Sequence, residues 1–190
     1  RLGFHMLSYL RWEEGDLSDA QRHMMRAEVV SRAADERAQV VAMAEAARCL
    51  VLLERDLPRA EALALEASAR SSRVGLRPSA IADAQGMLRQ HQGSLAAAAE
   101  LFEESRLEAR REGDAMGEFG ALEHQVVLRQ QQGDWAGARR LAVELGALGG
   151  KLREGSEAPF ARALLALSRH ALGEAGAEDA LEAALEELRR

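Results

Sequence analysis

A fivefold repeat with a period of about 40 residues constrains this chain more than any other feature of its sequence. The repeated stretch combines a turn glycine, a capping residue, a large apolar residue and a later alanine, as in Gly133-Asp134-Trp135 followed by Ala138. Glycine tolerates the left-handed backbone that ends a helix, and aspartate accepts hydrogen bonds from the free N–H groups that open the next helix. The closing alanines are spaced by 40, 38, 40 and 42 residues and are Ala20, Ala60, Ala98, Ala138 and Ala180. This pattern predicts an array of helical hairpins.

Apolar residues at helical spacing on both sides of each turn predict two helices per repeat. The repeats cover approximately residues 1–34, 35–75, 76–113, 114–155 and 156–190, as one array over 1–190. Arg55 stands where the second repeat is expected to have its turn glycine. Because short connections make consecutive helices antiparallel, the predicted fold is all-α, a right-handed superhelical solenoid of about five antiparallel helix-turn-helix repeats. The chain starts at Arg1 within a helical pattern, so we expect a fragment of a longer protein.

Composition supports close-packed helices and argues against several classes of function. The chain is 47% hydrophobic but only 4% aromatic, which fits helices that pack through Ala and Leu. The net charge is −6 and the positive charges are spread along the helices, so we expect no direct contact with nucleic acid. The single cysteine, Cys49, permits no internal disulfide and is compatible with a reducing, cytoplasmic location. No apolar run is long enough to predict a membrane span or a signal peptide.

No catalytic, cofactor-binding or metal-binding set is recognisable in the sequence. The stretch from Gly146 to Lys151 is superficially similar to a phosphate-binding loop, but its glycine spacing is wrong and no Ser or Thr follows the lysine. The histidines are scattered and form no two-histidine helical pair beside a glutamate. Cys49 and the serines have no identifiable base nearby in the sequence. We therefore expect a protein that is not an enzyme and holds no cofactor.

Trp135 admits two interpretations, an exposed anchor for a partner or a packing residue between neighbouring repeats. Its place in the turn favours packing, because stacked repeats bury a large residue between them. Full burial predicts that Trp135→Ala lowers the free energy of unfolding by about 3 to 5 kcal/mol.

The stretch Gly15-Asp16-Leu17, with Ala20 five positions and Ala27 twelve positions after the glycine, resembles the tetratricopeptide-repeat (TPR) family. That resemblance implies a helix-turn-helix solenoid that recognises proteins. The repeat is longer than the usual length of about 34 residues. Long repeats rich in Ala, Arg, Leu and Glu resemble the sensor regions of large bacterial signalling ATPases and transcription activators, such as the maltose-responsive activators. Lys151 is the only lysine, a bias that suits a GC-rich bacterial genome.

The resemblance also implies that the first helix of each repeat lines a concave groove. Carried onto this sequence, the groove positions are His5, Tyr9, Trp12, Glu45, Cys49, Leu52, Asp83, Met87, Gln90, His91, Glu123, Val127, Gln130, Gln131, Arg162, Leu165 and Arg169. This surface is aromatic at its N-terminal end, polar and acidic in its middle and basic at its C-terminal end. It suits an extended peptide or a helix, with Tyr9 and Trp12 either as anchors or as packing contacts with upstream sequence.

Three functions follow from these observations. The leading one is a protein–protein interaction scaffold, a segment of a bacterial regulatory protein that binds a protein or peptide partner in its groove and works with other domains of the parent chain. For this scaffold we expect joint substitution of Tyr9, Met87 and Gln130 to abolish partner capture while leaving helicity intact. The second is a small-molecule sensor of a transcription activator, since Gln, Glu, His and aromatic side chains suit an oligosaccharide. The third is self-association into a homo-oligomer through exposed repeat ends.

Overall fold

The computed structural model describes residues 15–152 and 157–189, and every regular element within these ranges is an α-helix. The helices are α1 (Leu17–Ser31), α2 (Glu36–Leu52), α3 (Leu57–Val74), α4 (Ser79–His91), α5 (Leu95–Glu112), α6 (Ala115–Gln131), α7 (Trp135–Gly149), α8 (Glu157–Ala171) and α9 (Ala177–Leu188). The all-α prediction is confirmed, and the helix pairs follow the predicted repeats. The predicted helix over residues 2–14 lies outside the described residues.

The chain divides into two compact bodies, an N-terminal body of Arg1–Leu101 and a C-terminal body of Phe102–Arg190. The boundary falls within the sequence of α5. In the N-terminal body α2 packs on α1, α3 and α4, and α3 also packs on α4. In the C-terminal body α8 packs on α6, α7 and α9, and α6 also packs on α7. In each body the first helices of successive repeats therefore contact each other, as stacked helical repeats require.

The turn before α7 shows why its residues recur. Gly133 has φ 73°, in the left-handed region. The Oδ1 atom of Asp134 accepts a hydrogen bond from the backbone N–H of Gly137 at 2.9 Å, which satisfies one of the free donors at the start of α7. Ala138, one turn into the helix, is fully buried. The predicted roles of the glycine, the capping aspartate and the small alanine are confirmed in this turn.

The turn between α2 and α3 differs from its prediction. Glu54, with φ 51°, and Asp56, with φ 47°, are in the left-handed region, whereas Arg55 is not. The N–H of Arg55 donates to the carbonyl oxygen of Leu50 at 2.9 Å, the same bond that closes the turn after Gly133. Glu54 thus occupies the glycine position, and Arg55 is an extra residue before the capping Asp56. The expectation that Arg55 replaces the glycine was therefore wrong by one residue.

Burial follows the repeat closely. Ala20, Ala60, Ala98 and Ala138 are fully buried, whereas Ala180 in the last repeat is half-buried. Side chains this small allow the two helices of a hairpin to approach each other closely. The core of the C-terminal body includes Phe119, Leu122, Val126, Leu145 and Leu164.

Trp135 is half-buried, which corrects the expectation that it is fully buried between repeats. The aromatic ring that is fully buried in this part of the chain is that of Phe102 on α5, which stacks on the ring of His124 at a centroid distance of 5.0 Å. Trp135 begins α7, and the first turn of a helix presents side chains near the end of the hairpin, where less of their surface is covered. The predicted destabilisation of 3 to 5 kcal/mol for full burial is therefore too large.

Candidate protein-interaction surface

One face of α2 carries a stripe of accessible side chains. Val41, Glu45, Arg48 and Leu52 follow each other at spacings of four, three and four residues, which places them on one face, and all four are exposed or half-buried. The Nη2 atom of Arg48 lies 2.8 Å from the Oε2 atom of Glu45. The stripe therefore has a charged centre between two apolar ends. Glu45 and Leu52 were predicted from the sequence, whereas Val41 and Arg48 were not.

Cys49 was predicted to face the groove, but only 5% of it is exposed. Cys49 lies seven residues after the buried Ala42, on the same face of α2, and therefore falls just outside the accessible stripe. Arg48 is the residue that reaches the accessible stripe. Burial raises the pKa of the Cys49 thiol to about 11, with a smaller opposing effect of Arg48, so the thiol is protonated at neutral pH and is a poor nucleophile.

On α4 the predicted positions divide between the interior and the surface. Asp83 and Met87 are only 4% and 5% exposed, so their expected exposure is corrected. Small residues occupy much of this helix and let its neighbours approach closely; they are Ala80, Ala82, Ala84 and Gly86. Gln90 is half-buried and His91 is exposed, which leaves the C-terminal end of α4 accessible.

One face of α6 also carries a stripe of accessible residues. Glu123, Val127 and Gln131 were predicted, and all three are exposed or half-buried at spacings of four residues. The same stripe extends back to Met116, which is 53% exposed. Met116 was not predicted, although it lies seven residues before Glu123, where continuing the helical spacing by two turns places it.

On α8 the predicted residues Arg162, Leu165 and Arg169 share one face and are all exposed or half-buried. The Nη2 atom of Arg162 lies 2.6 Å from the Oε2 atom of Glu187 on α9, and the Nε atom of Arg169 lies 2.8 Å from the Oε2 atom of Glu174. Leu165 packs partly against the core. A carboxylate of a ligand would therefore compete with existing ion pairs for these two arginines.

Gln130 connects the first helices of two repeats. Its Nε2 atom donates to Ser168 Oγ at 3.0 Å and to the carbonyl oxygen of Leu164 at 3.2 Å, both on α8. Gln130 is therefore part of the fold, which corrects its assignment as a pure groove contact. Because Met87 is buried and Gln130 joins two helices, substituting them is expected to affect stability as well as binding. His5, Tyr9 and Trp12, the predicted N-terminal anchors, lie outside the described residues.

The described part of the chain contains no group of three or more His, Cys, Asp or Glu side chains arranged to hold a metal ion, and none of its helices is long and apolar enough to cross a membrane. A pocket between α3 and α4 is lined by Glu61, Leu65, Gln85 and Arg89. It offers about 20 Å³, which is room for about one water molecule.

No family model matches the chain, and no curated protein matches it in sequence. Its structure is similar to the crystal structure of BtubC (BKLC) from P. vanneervenii, with a TM-score of 0.69 and 17% identity, over 98% of this chain and 77% of that chain. Two crystal structures described as a Podosopora anserina kinesin light chain with nearly identical TPR-like repeats give TM-scores of 0.60 and 0.58, at 16% and 18% identity. Each match covers 98% of this chain and 92% of the other. At these identities the similarity establishes the fold, which is a TPR-like helical repeat.

Proposed function

We propose that this chain is a non-catalytic protein-interaction scaffold that binds a segment of a partner protein on its first helices. The observation that carries the proposal is the accessible stripe on α6 beside that on α8, which we call the first-helix surface. It comprises Met116, Glu123, Val127 and Gln131 on α6 and Arg162, Leu165 and Arg169 on α8. The hydrogen bonds from Gln130 hold α6 and α8 in place beside each other, so the two stripes keep a fixed relative position.

The chemistry of the first-helix surface suits a peptide or a helix with mixed side chains. Val127 and Leu165 are half-buried and offer apolar contacts near its centre. Glu123 contributes an acidic group on α6, and Arg162 and Arg169 contribute basic groups on α8. A partner segment that places an apolar side chain over the centre would complement this arrangement, and a carboxylate on that segment would have to replace Glu187 or Glu174 as the partner of an arginine on α8.

The pocket between α3 and α4 is too small to enclose a sugar. Pockets that enclose small ligands usually measure about 300 to 1,000 Å³, and this one offers about 20 Å³. A bacterial regulatory protein with a cytoplasmic location and further domains is the parent that the arginine-rich composition and the length of the repeat favour.

Selection from a random peptide library tests the proposal. Peptides that enrich on the purified chain would be cross-linked with p-benzoylphenylalanine placed at Met116 on α6 or at Val143 on α7. These two side chains are matched, since they are 53% and 55% exposed. We expect cross-links from position 116 and none from position 143. Failure to enrich any peptide, or cross-linking from position 143 alone, contradicts the proposal.

A thermal-shift screen with oligosaccharides and nucleotides tests the sensor alternative separately. A ligand that binds only the folded chain raises its midpoint of unfolding by mass action. A concentration-dependent rise with one of these compounds would favour the sensor function. An unchanged midpoint across the screen is the result that the scaffold function predicts.

A further inference from the structure

Gly120 lies well inside α6, on the face of the helix that belongs to the first-helix surface. It follows Met116 by four residues and precedes Glu123 by three, so the three residues share one face. Gly120 is half-buried. A glycine inside a helix is less favourable than an alanine, because glycine loses more conformational freedom when the chain folds. The folded chain therefore bears a cost at this position.

Packing among the described residues does not require a glycine at position 120. Apart from its chain neighbours and the backbone of α6, no atom lies within 4 Å of the place that a Cβ atom of Gly120 would take. Two other helical glycines differ from it. The carboxylate of Asp114 occupies this space at Gly117, and the ring of Phe119 comes within 3.2 Å of it at Gly149. An alanine would therefore fit at position 120 in the folded chain.

The missing side chain leaves a depression in the accessible stripe of α6. Met116 lies about one helical turn before it, and Glu123 lies about one turn after it. Because glycine has no Cβ atom, a group from outside can approach the axis of α6 more closely here than at Val127. Met116 is 53% exposed, and its flexible thioether chain can adapt to an aliphatic group beside it. The depression therefore suits one aliphatic side chain.

We propose that the partner segment inserts an aliphatic side chain, of the size of leucine, into the depression at Gly120, where it contacts Met116. This inference rests on the scaffold function proposed above and assigns Gly120 as a residue that determines specificity. A side chain at position 120 fills the depression and excludes the aliphatic group of the partner. Glycine therefore weakens the helix but admits the partner, so stability and binding respond in opposite directions when Gly120 is replaced by alanine.

Two variants of Gly120 separate binding from folding. The probe is a library-selected peptide that cross-links from position 116, and its affinity for the whole chain is measured by fluorescence anisotropy. We expect Gly120→Ala to raise the midpoint of thermal unfolding by about 2 °C, because alanine favours the helix, and yet to weaken binding about threefold. Gly120→Leu, which fills the depression, should weaken binding by about tenfold or more.

Gly146 on α7 provides the matched control. It is also a half-buried helical glycine, and no atom outside its chain neighbours and its own helix's backbone lies within 4 Å of its Cβ position. Gly146→Ala and Gly146→Leu should leave the affinity of the peptide within about twofold of the wild type, because α7 is a second helix outside the first-helix surface.

Shortening the peptide tests the partner's side of the contact. Each aliphatic residue of the selected peptide is replaced by alanine in turn, and its affinity is measured for the wild type and for Gly120→Leu. We expect one replacement to weaken binding to the wild type about tenfold and binding to Gly120→Leu less than about twofold. The two changes are not additive, because the variant has already lost the contact that the replacement removes.

Three results would overturn this inference and leave the scaffold function standing. The first is an unchanged affinity of both Gly120 variants for a peptide that cross-links from position 116, or a loss equal to that of the Gly146 variants. The second is additivity for every replacement in the peptide. The third is a lower midpoint of unfolding for Gly120→Ala, since the fold itself would then require the glycine. If the wild-type chain enriches no peptide, the scaffold function and this inference both fail.

Discussion

Gln130 on α6 donates a hydrogen bond to the hydroxyl of Ser168 on α8 at 3.0 Å, and Ser168 is fully buried. The hydroxyl in turn donates to the carbonyl oxygen of Leu164 at 2.9 Å. The bond therefore spans two consecutive repeats, 38 residues apart in sequence. Polar side chains in this arrangement fix how two first helices lie side by side, because a buried hydroxyl without its partners is costly.

Gln130→Ala is expected to lower the free energy of unfolding by about 1 kcal/mol, the usual contribution of a partly buried hydrogen bond. Urea denaturation followed by circular dichroism measures this change. The matched control is Gln132→Ala, an exposed glutamine at the end of the same helix, which should stay within about 0.5 kcal/mol of the wild type. Equal stability of the two variants would show that the bond between α6 and α8 contributes nothing.

Glu54→Gly is expected to stabilise the protein. Glu54 adopts φ 51° in the turn between α2 and α3, where a side chain costs about 1 kcal/mol and glycine does not. Because glycine also has a more flexible unfolded state, the net gain should be about 0.5 kcal/mol. The reverse change in an ordinary turn, Gly93→Ala at φ 76°, should destabilise by about 1 kcal/mol. Thermal melts of both variants check the pair, and a loss of stability in Glu54→Gly would refute the assignment of this turn.

Much of this fold could be predicted from the sequence because each repeat carries local signals that show where its helices begin and end. The glycine, the capping aspartate and the buried alanine act locally, so reading them requires no knowledge of the rest of the chain. The helices α7 and α9 accordingly begin directly after Gly133-Asp134 and after Gly176, at Trp135 and Ala177. α7 ends at Gly149, among glycines that weaken its last turn.

The candidate site was harder to predict because the exposure of its residues depends on which way each helix faces and on which other helices pack against it. On α2 the buried Cys49 and the accessible Arg48 are neighbours in sequence, so a small difference in the direction of a side chain decides which of them reaches the surface. The burial of Asp83 follows from how closely other helices approach α4, which local sequence does not encode. The hydrogen bonds from Gln130 to α8 could not be predicted from the sequence either. The position of a glutamine on a helix face does not show whether its side chain bonds to a neighbouring helix.

The raised pKa of the Cys49 thiol predicts that the protein loses stability at alkaline pH. Burial raises the pKa of its thiol from 9.0 in the unfolded chain to about 11 in the folded protein, so the folded state holds the proton more tightly. The resulting stabilisation is fully present below about pH 9 and is lost as the pH rises towards 11, by an amount on the order of 2 kcal/mol. Urea denaturation of wild type and Cys49→Ala at about pH 8 and 10.5 tests this. The stability advantage of the wild type should shrink at the higher pH, and a constant difference would contradict the burial of a protonated thiol.

Trp135 and Phe102 should respond differently to truncation. Phe102 is fully buried, so Phe102→Ala should lower the free energy of unfolding by about 3 to 5 kcal/mol. Part of the surface of Trp135 is exposed, so Trp135→Ala should cost less than Phe102→Ala, since a smaller share of the side chain leaves the interior. Differential scanning calorimetry compares the two variants. A Trp135 variant as unstable as the Phe102 variant would restore the prediction that the tryptophan fills the seam.

The affinity of a selected peptide for two matched double variants tests the central claim most directly. Met116→Asp with Gln131→Asp alters the accessible stripe of α6, whereas Val143→Asp with Ala147→Asp introduces the same charges on exposed positions of α7. Measured by fluorescence anisotropy, the α6 variant should bind about ten times more weakly than the wild type, and the α7 variant should bind within about twofold of it. Equal affinities of the two double variants, or a larger loss in the α7 variant, would contradict the assignment of the first-helix surface as the site that binds a partner.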